Sequence, residues 1–285
     1  MPYIPGIYLH PLHLFIIPVE IVWLYASYYI ACTAEPGTIT KNNVQSYLDH
    51  FPYDHLLYQP KECRTCKLQK PARSKHCSMC KACIGKSDHH CAWINRCVGV
   101  NNHRYFFFFL FTLTQLCTYG AYLCFQVYRG LIIEWGLDKA FVYDHRTGTQ
   151  SPITFRKAML YILHRDRIIG AIGILAIVVA VVVFIFTVYQ LYLAGRGITT
   201  NEAFKWDVIE EDIQRGLLWQ HEEEPLEKPC QSARKRTSSK AAKDASSITK
   251  KARQVTSLEE LDNIYDAGFF RNLLDIFIPP QLDKP

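Results

Sequence analysis

From Ile168 to Ala194 the chain runs for 27 residues without one charged side chain. A helix needs roughly 20 consecutive apolar residues to cross the hydrocarbon core of a bilayer, and a soluble core rarely uses so long a run. A second stretch, Tyr105–Tyr128, is 24 residues long and equally free of charge. Both read as membrane spans, over 168–194 and 105–128. A third stretch, 7–32, is less uniform, because it carries His10, Pro11, His13, Pro18 and Glu20. It reads as a span whose Glu20 faces other helices, since a carboxylate turned to lipid is costly. No basic residue precedes Lys41, which argues against a secretory signal.

These runs explain why a mean hydropathy of −0.03, ordinary for a soluble enzyme, misleads. The Lys and Arg residues fall in blocks instead of being scattered over a surface. There are 11 in the segment 41–104, seven in the connection 129–167, and 13 from Lys205 onward. Alternation across three spans places 41–104 and the tail 195–285 on one side of the membrane and 129–167 on the other. The positive-inside rule then makes the first side cytosolic and the connection a lumenal loop. A net charge of +6 suits contact with anionic lipid, and the flanking spans argue against a nucleic-acid partner. Within the tail, 228–253 is basic and rich in Ser and Ala and reads as a disordered linker. Apolar residues return over 258–278, as expected of a short element docking on the membrane or on the cytosolic region.

Seven of the 11 cysteines crowd between Cys63 and Cys97. In the reducing cytosol, and with an odd number, a disulfide framework does not fit. Zinc takes four tetrahedral ligands, commonly from paired C-x2-C knuckles. Cys63-x2-Cys66 begins such a pattern, followed by His76-Cys77, Cys80 and Cys83, then Asp88-His89-His90-Cys91, Cys97 and His103. Two zinc sites need eight ligands, which six cysteines and two histidines supply, leaving one cysteine over. Cys91 follows two histidines and an aspartate, the order in which a carboxylate orients an imidazole that activates a thiol. Spacing alone leaves open its use as a ninth, redundant ligand.

Asp88-His89-His90-Cys91 within a cysteine-rich segment between spans resembles the DHHC protein S-acyltransferases, a family of α-helical integral membrane proteins with a small zinc-stabilised cytosolic domain. Further likeness lies in Glu35-Pro36-Gly37, Lys70-Pro71-Ala72-Arg73, Cys97-Val98-Gly99, Asn102 with Phe106, Thr199-Thr200-Asn201-Glu202 (the TTxE motif, 199–202), and Asn263, Tyr265-Asp266, Gly268 and Asn272. The segment Pro71–Cys77, the TTxE motif and Trp206 are most similar to the fungal branch linked to spore-wall formation. Two departures stand out. Ala92 occupies the place of the family's usual Pro. Only 34 residues precede Glu35, too few for two spans of roughly 20 residues each plus a turn. Three spans are therefore expected here, where four are usual, with the first of the pattern missing.

The resemblance implies one zinc on Cys63, Cys66, His76 and Cys83 and a second on Cys77, Cys80, His90 and Cys97, both structural. It implies that Asp88 polarises His89, the general base for the nucleophile Cys91. Acyl-CoA (palmitoyl-CoA) is the implied co-substrate, with Lys70, Arg73 and Lys75 toward its phosphates. Trp93, Phe106 and Phe109 are expected near the thioester and acyl chain, the two phenylalanines starting a helical stripe that Leu113 and Leu116 continue. Thr200 and Asn272 are expected to tie the tail to the catalytic segment. The implied partners are membrane proteins with juxtamembrane cytosolic cysteines, SNAREs among them. The implied location is the endoplasmic reticulum membrane, with the Golgi membrane as alternative. A non-catalytic, membrane-anchored zinc module that binds a protein partner would carry many of the same residues.

Overall fold

The computed structural model describes residues 8–144, 146, 148–221 and 252–282. Among the described residues, three helices are long and apolar enough to cross a membrane: α1 (His13–Thr33), α3 (His103–Glu134) and α5 (Arg167–Gly195). The protein is an α-helical, multi-pass integral membrane protein. The spans are longer than the uncharged runs. At 32 residues, α3 measures about 48 Å, well beyond a hydrocarbon core of about 30 Å. Its first turn therefore belongs to the cysteine-rich region and its last turns to the opposite surface. Pro18 lies inside α1, and Glu20 Oε1 accepts a hydrogen bond from Gln115 Nε2 of α3 at 2.8 Å. Ser27 of α1 and Thr112 of α3, both buried, share a second interhelical bond of 2.6 Å. Such pairs satisfy polar groups that lipid would leave bare.

Between α1 and α3 the chain makes β1 (Thr38–Ile39), α2 (Val44–His50) and four three-residue strands. β2 (Lys75–Cys77), β3 (Ala82–Ile84) and β1 form one antiparallel sheet, in the order β1-β3-β2. β4 (His89–Cys91) and β5 (Arg96–Val98) form a separate antiparallel pair. A core of Tyr47, Phe51, Tyr58, Ala72 and Val100 packs with Ile39 of β1 and Cys83 of β3. Gly37, at φ +93°, makes the turn out of α1. Its carbonyl accepts from Gly85 N at 2.9 Å, which extends the β1–β3 pairing.

The connection 129–167 is more ordered than a loop. After α3 come the antiparallel strands β6 (Phe141–Asp144) and β7 (Thr149–Pro152), then α4 (Phe155–Arg165). Thr154 caps α4 by accepting from Lys157 N. Ala158 and Ile162, one turn apart, bury against Val127, Leu131 and Ile132 of α3. The connection between the two spans is thus a packed layer, and its helix follows from the i, i+4 spacing of its apolar residues.

The described chain divides into two compact units, residues 1–202 with 265–285, and residues 203–264. α6 (Thr200–Gln214) starts in the first and runs through the second. The second unit also pairs β8 (Trp219–His221) with β9 (Ala252–Gln254). The basic linker expected over 228–253 falls outside the described residues up to 251. In the first unit α7 (Phe269–Phe277) packs Ile276 against Phe107 of α3 and Ala194 of α5. Asn272 Nδ2 donates to Gly195 O at 2.8 Å, tying α7 to the end of α5.

Candidate active site and metal centres

Two ligand sets emerge from the strand pairing. His76 and Cys83 are cross-strand partners in β2–β3, and His90 and Cys97 are partners in β4–β5. Each pair is joined by a C-x2-C turn: Cys63 and Cys66 complete the first set, Cys77 and Cys80 the second. In both turns the N–H of the second cysteine points at the first sulfur, at 3.4 Å. Within each set the four ligand atoms lie within 4.8 Å of one another. A tetrahedral zinc with normal bond lengths sets S···N edges of about 3.6 Å. Observed edges include Cys66 Sγ–His76 Nδ1 at 3.3 Å and Cys83 Sγ–His76 Nδ1 at 3.8 Å. Those from His90 Nδ1 to Cys77, Cys80 and Cys97 are 3.5, 3.4 and 3.6 Å. Two Cys3His sets of this size fit zinc. They interlace, because His76 serves one and the next residue, Cys77, serves the other.

Alternation along a strand puts successive side chains on opposite faces. In β4, His90 faces its metal set, so His89 and Cys91 share the other face. There His89 Nδ1 meets Asp88 Oδ2 at 2.6 Å, and Cys91 lies within electrostatic reach of the imidazole. Asp88 is buried and held from a distant part of the chain. Its Oδ1 accepts from Thr200 N at 2.6 Å and its Oδ2 from Thr200 Oγ1 at 2.8 Å. Gln190 of α5, buried, donates to Thr200 Oγ1 at 3.1 Å. A line thus runs Gln190–Thr200–Asp88–His89–Cys91.

The electrostatics follow. Burial alone would raise the Asp88 carboxyl, but the His89 bond and the positive field around it hold it down at about 2. Burial opposes a charged His89, but its bond to Asp88 and the nearby Cys91 push it up to about 9. Burial would also raise the Cys91 thiol, yet His89 and the N–H groups of Ile94 and Trp93 bring it below the usual thiol range. The arrangement favours a thiolate–imidazolium pair.

Cys91 is buried in an apolar cluster with Ala31 of α1, Phe106 and Leu110 of α3, and Ile94 and Val98, with Phe109 and Val183 of α5 at its edge. The thiol therefore sits where three membrane helices converge. A family model described as DHHC palmitoyltransferase matches residues 57–207. The chain belongs to this family. It is 34% identical over 255 residues to palmitoyltransferase swf1 of Schizosaccharomyces pombe, covering 90% of this chain and 64% of that protein. It is 33% identical over 289 residues to palmitoyltransferase SWF1 of Candida albicans, covering 95% of this chain and 72% of that one. Palmitoyltransferase ZDHHC4 of Rattus norvegicus is 30% identical over 180 residues, or 62% of this chain and 52% of its own length. The alignments place it in the fungal Swf1 branch of the DHHC enzymes.

Not every expected ligand contact survives the geometry. Arg73 is withdrawn from the acyl-CoA set. It is 4% exposed, and its guanidinium forks onto Glu202, Nε to Oε1 at 2.7 Å and Nη2 to Oε2 at 2.6 Å, with Gly197 O a third acceptor at 2.8 Å. Tyr58 OH completes the cluster on Glu202 Oε1 at 3.0 Å, and Tyr265 stacks on the guanidinium at 4.8 Å. Burial would raise Glu202, but Arg73 outweighs it and holds the carboxyl below its ordinary range. Lys75 is exposed and reaches Asn201 Oδ1 at 2.8 Å, and Lys70 is half-buried. Trp93 is 84% exposed beside the site, its carbonyl accepting from Tyr28 OH at 3.1 Å. Phe106 packs edge-on against His89, ring centres 5.3 Å apart, so it braces the imidazole. Phe109 contacts Tyr28 of α1. His103 is buried and stacked on Phe107, away from both metal sets.

Sequence reasoning missed two polar residues. Gln190 read as one more member of an uncharged span, although a buried amide in lipid is itself a sign of function. Lys86 drew no reading from the sequence; burial, reinforced by nearby Arg73, pushes it down to about 8. Its position two residues before Asp88 was the available signal.

Proposed function

We propose that this chain moves a long-chain acyl group, palmitoyl by family, from acyl-CoA to cysteines of membrane proteins through a thioester on Cys91. The observation that carries this reading is the Asp88–His89–Cys91 line on the face of β4 opposite the metal ligands, opening between α1, α3 and α5. His89 takes the thiol proton, and the Cys91 thiolate attacks the acyl-CoA carbonyl. The tetrahedral adduct collapses with loss of the CoA thiolate, which leaves with the proton from His89. In the second half, His89 deprotonates a substrate cysteine, whose thiolate attacks the Cys91 thioester. Cys91 departs as thiolate and recovers its proton from the imidazolium. Thioester is exchanged for thioester, so the demand is for an activated thiol held in place and not for a large driving force.

Asp88, fixed by Thr200, keeps the His89 Nε2 edge toward sulfur and stabilises the imidazolium. The acyl chain enters the cluster of Ala31, Phe106, Phe109, Leu110 and Val183, while Trp93 lies at the interface beside the thioester. Lys70 and Lys75, on the outer side, supply cations for the CoA phosphates. The two Cys3His sets would hold zinc, which would supply rigidity to β2–β5 and so to the strand that carries His89 and Cys91. The protein substrates that suit this placement have cysteines beside their own spans on the same side of the membrane, as SNAREs do. The location that goes with this reading is the endoplasmic reticulum membrane, with the Golgi membrane as alternative.

The test is acyl-enzyme formation. Purified protein incubated with labelled palmitoyl-CoA gains a hydroxylamine-sensitive label, which Cys91→Ser lacks while keeping its zinc. His89→Ala keeps both metals and loses labelling, whereas His90→Ala loses about one zinc per chain. Label persisting in Cys91→Ser refutes the nucleophile assignment. An unlabelled wild-type protein with full zinc points instead to a binding module.

A further inference from the structure

On the side of the membrane away from Cys91, α3, α4 and α5 enclose a groove of about 240 Å³. One wall is a stripe on α3 that includes Ala121, Cys124 and Tyr128; the other is the first two turns of α5. Gly170 and Gly173 let α4 and α3 approach α5 closely along the groove. A Cβ on Gly170 would lie 2.1 Å from Leu163 of α4, and one on Gly173 would lie 3.0 Å from Cys124. The lining is otherwise almost wholly apolar, and the groove lies within membrane-spanning helices, so hydrocarbon surrounds it.

The exception is Arg156, at the rim on the first turn of α4. It is exposed and has no hydrogen bond or ion pair to any described residue. Lys157 follows it, also exposed. Around this layer Trp135 and Tyr161 stand out from the protein, 43% and 53% exposed. Aromatic rings with a polar edge collect at the level of lipid headgroups. The order is thus an apolar slot in the membrane, an unpaired guanidinium above it, and interfacial aromatics beside it.

We propose that this groove binds a phospholipid of the leaflet it faces, one acyl chain in the slot and the phosphodiester on Arg156. A guanidinium matches a phosphate through paired N–H donors. A sterol would fill the slot but offers no anion. The bound chain would serve as packing between α4 and the two spans.

The experiment is native mass spectrometry on protein delipidated in detergent and titrated with palmitoyl-oleoyl phosphatidylglycerol, with ergosterol in a parallel titration. The wild type retains one phospholipid under activation that strips the others. Arg156→Glu lowers that occupancy by roughly fivefold or more, and Ala121→Trp, which fills the slot, does so as well. Zinc content, read in the same spectra, shows that the variants are folded; if Arg156→Glu loses metal, Arg156→Gln is read in its place. Equal retention in the wild type and folded variants, or ergosterol retained in place of the phospholipid, overturns the proposal.

Discussion

At the residue scale, the division of labour in Asp88-His89-His90-Cys91 is a consequence of strand geometry. With a side-chain period of two, neighbours cannot serve the same centre, so His90 goes to metal and His89 and Cys91 go together. The ligand count was legible in the sequence, since six cysteines and two histidines fill two sites and leave one cysteine, but which histidine and which cysteine stand apart came only from the family resemblance. What the local pattern could not reveal was the support of Asp88 by Thr200, 112 positions later, or of Thr200 by Gln190. A hydrogen bond to a charged group is worth about 1.5–3 kcal/mol, and the Thr200 hydroxyl makes one of the two bonds from that residue. Thr200→Val should therefore lower the rate of acyl-enzyme formation by roughly tenfold or more, with zinc content unchanged and acyl-CoA KM little moved. Thr200→Ser should restore most of the rate. A Val variant as fast as wild type would show that the backbone N–H alone positions Asp88. Gln190→Leu should give a smaller loss, because it acts one bond further back.

At the scale of elements, a buried ion pair helps to tie the cysteine-rich region to the segment that follows α5. Arg73 comes from the loop before β2, and Glu202 from the start of α6, 129 positions on. The Lys70–Arg73 motif suggested a phosphate ligand because its partner is invisible at short range; only the fold brings the two motifs together and spends the guanidinium on Glu202. α4 is a different case, for its Ala158–Ile162 spacing was present in the sequence and went unread. Removing one member of a buried pair leaves an uncompensated charge, at roughly 3–5 kcal/mol. Glu202→Ala should accordingly lower thermal stability by far more than Arg73→Met combined with Glu202→Leu, which removes both charges and leaves apolar bulk. Melting followed by tryptophan fluorescence in detergent would measure this. Equal losses in the single and double variants would assign the effect to packing and not to charge. The interlaced metal sets couple their neighbours in the same way. Because Cys77 follows His76, Cys77→Ser should cost more than one zinc per chain by metal analysis, whereas loss of one alone would mean that the sets fold independently.

For the whole molecule, three spans divide the chain between two sides of a membrane, and the lengths of the helices set where the chemistry sits. α3 begins inside the cysteine-rich region, at Asn102, whose side chain accepts from Gly99 N and donates to Cys97 O. The second metal set, β5 and the first turn of a membrane span are therefore one continuous piece, which fixes Cys91 at the hydrocarbon boundary. The far end of α3 overshoots the core and carries the β6–β7 pair and α4 on the other side. Charge alone placed this layer weakly, because its seven basic residues make it positive as well. The sidedness has a direct readout. The chain contains no Asn-x-Ser/Thr acceptor, and Thr149→Asn would make one with Gln150 and Ser151 in the exposed strand β7. Expressed in a eukaryotic secretory pathway, that variant should gain an endoglycosidase-sensitive mass shift, since glycosylation occurs only on the lumenal side. A shift places the cysteine-rich region in the cytosol, where thiols stay reduced and acyl-CoA is available. An unglycosylated, folded variant would invert the topology and leave Cys91 facing an oxidising compartment, where neither half of the proposed transfer could run.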